Sequence, residues 1–154
     1  MELVYCDKWS ITNKKPWNII DSEKAQECHN SKISYSVLIK ESGRITHVIE
    51  VGDKFVSVDF MTDFLKPYLC YTFDVKDNNK LFLISAYFTE YDNKTKDPLI
   101  KIFFKFTENG YTVMERVNIQ TGESEERESQ GGVDSLWNIF PNFGKYEHLL
   151  GKDR

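Results

Sequence analysis

The sequence has few cysteines, and they form no metal or disulfide motif. Cys6, Cys28 and Cys70 are odd in number and widely separated, and no Cys-x-x-Cys pair occurs. A disulfide framework needs an even set of cysteines, and a zinc knuckle needs closely spaced pairs. We therefore expect reduced, partly buried thiols, no metal site and no cofactor.

Recognisable catalytic motifs are also missing. His29, His47 and His148 fit neither HExxH nor a paired-histidine metal spacing, and the GxSxG, Walker A and GxGxxG motifs do not occur. Carboxylates are numerous enough to form pairs by chance, so such pairs give glycosidase chemistry no positive support. We therefore assign no catalytic residue and expect that the protein is not an enzyme.

The chain lacks a basic excess. It contains 20 lysines and arginines against 24 aspartates and glutamates, for a formal net charge of −4. Proteins that bind nucleic acid neutralise its phosphates with clustered lysine and arginine, whereas the basic residues here are scattered. The composition therefore argues against nucleic acid as a direct partner.

No apolar run is long enough to cross a membrane. The longest, Leu81 to Phe88, is interrupted by Ser85 and falls well short of the roughly 20 residues that span a bilayer. The first residues carry Glu2 and Asp7 without an apolar stretch of secretory length. We expect a cytoplasmic protein with no signal peptide and no membrane partner.

What the chain does have is aromatic residues, which make up 14% of the 154 positions, while alanine occurs only at Ala25 and Ala86. Aromatic and β-branched side chains suit a pleated, half-buried surface, so this composition favours strands over helices. The length matches one domain of about 100 to 200 residues. We predict a single domain over residues 1–154.

Apolar and polar residues alternate with period two over most of the chain, which is typical of strands. The predicted strands cover residues 3–9, 33–39, 45–51, 55–61, 68–75, 80–91, 100–106 and 111–119, and residues 123–129 form either an exposed edge strand or a loop. Pro16 and Trp17 are placed in a loop. Asn78 and Asn79 tolerate the left-handed backbone of a tight turn, and Asn109-Gly110 predicts a type I′ hairpin.

Helix signals are confined to the two ends of the chain. Asp21 or Ser22 can cap a short helix that runs to about Cys28. Near the C-terminus, we predict one helical piece over 135–140 and another over 145–150. The fold class is therefore α+β and mainly β: a curved antiparallel meander or half-barrel of seven to eight strands, with short N- and C-terminal helices packed on it.

Two groups of acidic residues are candidate partner-binding sites. Residues 123–128 contain four acidic side chains and one basic side chain. Such a segment is either a solvated edge that its charge protects from pairing, or a docking surface that steers a basic partner. A second, more dilute group lies around the loop before Pro98. The candidates are Glu123, Glu125, Glu126 and Glu128 in the first group and Glu90, Asp92 and Asp97 in the second.

Aromatic residues crowd the C-terminal segment at Trp137, Phe140, Phe143 and Tyr146. We expect this segment to close one face or end of the sheet. Because aromatic side chains also dominate binding hot spots, the same residues are an alternative partner site.

The segment Leu136 to Gly144, read LWNIFPNFG, together with the small acidic chain, the long meander and the missing catalytic motifs, resembles bacterial immunity proteins. These proteins neutralise polymorphic toxins or the toxins of contact-dependent growth inhibition. The resemblance implies stoichiometric inhibition, in which the protein covers the toxin's active site or an adjacent exosite. Such toxins are often nucleases, whose cationic clefts would complement the carboxylates above.

A different class of function stays open on the sequence alone. A β-barrel or cone could enclose a small molecule, with His47, Tyr71 or Tyr87 supplying polar contacts, and such a protein could be enzymatic. A structural or regulatory subunit with a host-protein partner is a third reading. A filled sheet interior with an exposed acidic or aromatic patch would favour the toxin inhibitor, whereas a deep polar pocket would favour the barrel.

Overall fold

The computed structural model describes residues 1–153 and is mainly β, as predicted. It contains more strands than the predicted seven to eight and a single α-helix, α1 (Ser22–Asn30). The strands are β1 (Glu2–Ser10), β2 (Lys15–Ile20), β3 (Tyr35–Glu41), β4 (Arg44–Val51), β5 (Phe55–Met61), β6 (Pro67–Lys76), β7 (Lys80–Tyr91), β8 (Pro98–Phe106), β9 (Tyr111–Asn118), β10 (Ser124–Gln130) and β11 (Trp137–Ile139).

All strands belong to one open antiparallel sheet in the order β10-β9-β8-β7-β6-β5-β4-β3-β1-β2. From β3 to β10, each strand pairs with the next along the chain, which is the predicted meander. β2 and β10 are the edges of this path. β11 pairs with Lys80 to Phe82 of β7, a stretch that lies before the first residue of β7 paired to β8, Ser85.

The N-terminal helix is confirmed. Asp21 is its N-cap, and a carboxylate oxygen of Asp21 accepts a hydrogen bond from the backbone N–H of Lys24 at 2.8 Å. Glu23 lies in the first turn, where its negative charge interacts favourably with the positive end of the helix dipole. Ala25 and Cys28 are the buried residues of α1 and pack it against the sheet.

The predicted loop around Pro16 and Trp17 is wrong, because these residues belong to β2. Proline is tolerated there since β2 is an edge strand that pairs only with β1. The alternation is also obscured at Asn18, whose φ of 52° interrupts the extended backbone.

The predicted C-terminal helices are also wrong. Each segment contains only a 3₁₀ turn, at Asp134–Leu136 and Glu147–Leu149, and the first turn leads directly into β11. The start of β7 projects past β8 and offers unpaired backbone groups, so Trp137 pairs with Phe82 instead of continuing a helix. Pairing with a distant strand here outweighs the local helix signal.

The hairpin at Asn109-Gly110 forms, but its turn is not the predicted type I′. Gly110 has a φ of 90°, whereas Asn109 has no positive φ. The Asn109 side-chain oxygen instead accepts hydrogen bonds from the Thr107 hydroxyl at 2.5 Å and from the Tyr111 N–H at 3.0 Å. These bonds hold the turn in an alternative geometry in which only the glycine needs the left-handed region.

The main core lies on the face of the sheet that α1 and the C-terminal segment cover, which we call the inner face. Phe143 stacks on Tyr5 with ring centroids 5.2 Å apart, and Tyr146 and Leu149 are fully buried in the same cluster. The predicted closure of one face by the C-terminal aromatics is therefore confirmed. A smaller cluster, consisting of Cys6, Trp9, Leu38, Val48 and Met61, marks the opposite or outer face.

Candidate functional site

The predicted acidic segment is the edge strand β10, and all of its residues are exposed. Side chains alternate between the two faces of a strand, so its glutamates do not form one surface. Glu126 and Glu128 project from the outer face, whereas Glu125 projects from the inner face beside Arg127, with which it forms an ion pair. Glu123 precedes the strand, and its carbonyl accepts from the N–H of Asn118 at 2.8 Å.

The second acidic group lies at one end of the sheet. Glu90 is near the end of β7, and Asp92 and Asp97 begin and end the following turn. The Asp92 carboxylate accepts from the N–H groups of Thr95 and Lys94, both at 2.8 Å, and these bonds lower its pKa. In a meander, the β7–β8 and β9–β10 connections lie at the same end, so this group shares its end with Glu123 but not with the middle of β10.

The pairing register places four side chains in one line across the outer face of β7 to β10. Tyr87 lies opposite Phe103, Phe103 lies opposite Glu115, and Glu115 lies opposite Glu126. We call this set the aromatic–acidic row. The two rings meet edge to face with centroids 5.9 Å apart, and they remain 39% and 37% exposed. The row therefore combines exposed aromatic surface with adjacent carboxylates.

The two glutamates of the row, Glu115 and Glu126, have no basic side chain paired with them in residues 1–153. Glu115 and Glu126 are directly opposed like charges, an arrangement that destabilises a sheet. Within residues 1–153, neither they nor Glu128 forms an ion pair. A hydrogen bond to Glu128, with smaller effects of burial and nearby carboxylates, raises the pKa of the Tyr111 hydroxyl at the same edge. The outer face of β9 and β10 therefore carries three carboxylates, Glu115, Glu126 and Glu128, that form no ion pair within residues 1–153.

Sequence reasoning identified part of the aromatic–acidic row and missed the rest. It selected Glu126 for its charge and considered Tyr87 only as a pocket residue, while Phe103 and Glu115 were not selected. The signal that could have connected them is the short hairpin at Asn109-Gly110, which sets the register between β8 and β9.

The residues considered for a ligand-binding barrel do not converge. Tyr71 faces the inner side, where its hydroxyl donates to the Lys152 carbonyl at 2.6 Å, whereas Tyr87 faces the outer side opposite Cys70. The His47 ring packs edge to face on Phe60 at 5.0 Å, and burial is the main cause of its lowered pKa. Side chains, with the C-terminal segment over them, fill the space that a barrel ligand would occupy.

A separate cavity of about 250 Å³ lies between α1, the β4–β5 turn and the C-terminal segment. His29 lines it, with Nδ1 2.7 Å from the Tyr35 hydroxyl, and that hydroxyl is 3.1 Å from the hydroxyl of Tyr146. Burial lowers the pKa of His29 and raises that of Tyr35. This chain of buried hydrogen bonds ties α1 and β3 to the C-terminal segment.

No helix among residues 1–153 is long and apolar enough to span a membrane. In the same residues, no cluster of three or more histidine, cysteine, aspartate or glutamate side chains is arranged to hold a metal ion. Comparison with protein-family models, with curated proteins and with solved structures finds no match to this chain.

Proposed function

We propose that this chain is an immunity protein that binds and inhibits a cognate bacterial toxin without turnover of its own. The aromatic–acidic row carries the proposal. Aromatic anchors that become buried on binding, next to charged groups, are typical of protein-binding hot spots, and Tyr87 and Phe103 are exposed aromatic side chains beside carboxylates. The exposed edge of β10 adds unpaired backbone groups beside them.

The charge of the row favours a partner with a basic surface. Glu115 and Glu126 repel each other in the free protein, and a lysine or arginine placed between them would relieve this repulsion on binding. Clustered carboxylates also steer a basic partner during diffusional encounter. A nuclease whose cleft binds phosphates has the complementary charge, so we infer that the row covers such a cleft or an adjacent exosite.

Two further observations fit a cytoplasmic inhibitor, and the first of them also argues against an enclosed ligand-binding barrel. The inner face is packed with side chains, among them Tyr35, Phe60 and Phe73, each fully buried. The three cysteines are free, which suits action in the reducing cytoplasm.

The proposal is tested by capture of the partner followed by a toxicity assay. The purified chain is used as bait in extract from its own host at low salt, and the captured protein is expressed in cells with and without the chain. We expect that protein to arrest growth alone and to be neutralised by co-expression at a one-to-one ratio. The proposal would be overturned if none of the captured proteins is toxic when expressed, or if co-expression of the chain gives no protection.

Charge reversal then identifies the docking face. Glu126→Lys with Glu128→Lys should slow association with the captured toxin by about tenfold at low salt, because steering depends on these charges. The matched control is Glu123→Lys with Glu125→Lys, which changes the net charge equally, because Glu123 precedes the strand and Glu125 projects from the inner face. The association rate of each variant with the captured toxin is measured by stopped flow at two salt concentrations, and the two variants are compared at each concentration. Equal rates for both would remove the outer face of β10 from the interface.

A further inference from the structure

A cleft on the outer face lies between the β1–β2 turn and strands β6 to β8. Its volume is about 380 Å³, within the usual range for small-molecule sites. The turn contributes Ile11, Thr12 and Lys14, while Tyr87, Thr89 and Lys101 belong to the opposite wall. Residues far apart in the chain therefore enclose one space.

The charge of this cleft is opposite to that of the whole protein. Lys14, Lys66 and Lys101 line it, and no aspartate or glutamate does. Within residues 1–153, none of these lysines forms an ion pair. In a chain of net charge −4, three lysines thus line one cleft without forming an ion pair.

Aromatic rings hold two of these ammonium groups without neutralising them. Lys101 Nζ lies over the Tyr87 ring at 5.9 Å from its centroid, and Lys66 Nζ lies over the Tyr91 ring at 5.7 Å. Lys66 also donates to the Lys96 carbonyl at 3.1 Å. Cation–π contacts and a carbonyl acceptor position an ammonium group but leave its positive charge available to an anion.

Polar and aromatic groups in the same walls favour a ligand with a ring. Tyr87 is 39% exposed, so part of its ring surface is available for stacking. Thr89 is only 7% exposed and places a hydroxyl-bearing side chain in the lining. The carboxylate-bearing residue Asp59 is paired with the lining residue Cys70 on the neighbouring strand β5, but it does not itself line the cleft.

We propose that this cleft binds a small organic anion built on an aromatic ring. Lys66 and Lys101 bind the anionic group, and Tyr87 packs against the ring. The turn at residues 11–14 closes one side of the cleft and limits the ligand to a small molecule. This site shares Tyr87 with the aromatic–acidic row, but its lysines are separate from Glu115 and Glu126, so the binding of a small anion is tested without the toxin.

The test is isothermal titration calorimetry of the purified chain with 1-naphthyl phosphate and with adenosine monophosphate. Inorganic phosphate supplies the charge without the ring, and 1-naphthol supplies the ring without the charge. We expect saturable one-to-one binding of at least one aromatic phosphate, at least about tenfold tighter than either reference compound, because both contacts contribute. The backbone amide signals of Tyr87 and Lys101 should shift in NMR spectra of the same titration.

Lys66→Gln and Lys101→Gln should each weaken binding by about tenfold, since each removes a charge-assisted contact. Lys105→Gln is the matched control: it lies on β8 on the same face as Lys101 but outside the cleft, more than a Debye length of about 10 Å away along an extended strand. Circular dichroism verifies that each variant is folded. Failure of both aromatic phosphates to bind saturably, or an equal loss in Lys105→Gln, would overturn the proposal.

Discussion

The hydroxyl group of Tyr35 should make a measurable contribution to stability. Tyr35 is fully buried, and its hydroxyl connects His29 Nδ1 at 2.7 Å with the Tyr146 hydroxyl at 3.1 Å. Tyr35→Phe removes one oxygen and keeps the ring packing, so both partners lose a hydrogen bond without creating a large cavity. The substitution therefore isolates the polar contribution of this network.

The size of the expected loss depends on which hydrogen bonds His29 and Tyr146 can still form after the substitution. His29 is half-buried beside the cavity and can turn to water, whereas Tyr146 is 1% exposed and keeps a hydrogen bond to Tyr5. The two hydrogen bonds of the Tyr35 hydroxyl contribute about 1 kcal/mol each, so we expect Tyr35→Phe to lower the free energy of unfolding by about 2 kcal/mol. Tyr146→Phe should cost a similar amount, because it removes the hydrogen bonds to both Tyr35 and Tyr5.

Urea unfolding followed by circular dichroism measures both losses, and the m-value should stay unchanged. Tyr111→Phe is the control for removal of an exposed hydroxyl, with an expected change within about 0.5 kcal/mol. The reasoning is refuted if either Tyr35→Phe or Tyr146→Phe changes the free energy of unfolding no more than the Tyr111 control does.

Two further measurements test the electrostatics and the backbone. Burial lowers the pKa values of His29 and His47 in the folded state, so their contribution to stability is complete above the unfolded value of about 6.5 and is lost as the pH falls through the folded values. Urea midpoints at pH 7.5 and pH 5.5 should show this loss, and His47→Gln should reduce it; an identical loss in the variant would contradict the assignment. Gly110→Ala should destabilise the protein by about 1–3 kcal/mol, since φ is 90° and a Cβ atom would lie 2.1 Å from the Gly131 carbonyl oxygen. Gly122→Ala, at a φ of 75° with no atom near the added Cβ, should cost less in urea unfolding of both variants, and the reverse order would refute the steric argument.

Local alternation was sufficient to predict the long strands of the meander. The bounds of β5 (Phe55–Met61) and β7 (Lys80–Tyr91) agree with the predicted segments because each strand alternates or is apolar between clear turn residues. The cap at Asp21 likewise depends on atoms within a few residues. Such features follow from neighbouring residues and need no knowledge of the rest of the fold.

Strands β2 and β11 could not be predicted in this way. β2 contains Pro16 and a positive φ at Asn18, and β11 is only three residues long. β11 forms because the start of β7, a distant strand, offers unpaired backbone groups, whereas β2 forms a hairpin with β1 despite its proline and its positive φ. Pairing between distant segments is a property of the assembled sheet, and no local pattern records it.

The candidate site likewise has one part that the sequence predicts and another part that only the tertiary structure reveals. Composition alone drew attention to the charge of residues 123–128, and period two explains why Glu126 and Glu125 lie on opposite faces once that segment is a strand. Only the pairing register across β7, β8 and β9 brings Tyr87 and Phe103 beside Glu115. Only the tertiary structure brings the lysines of the cleft together, because the folding of the β1–β2 turn over the outer face, rather than proximity in sequence, decides which charges share a space.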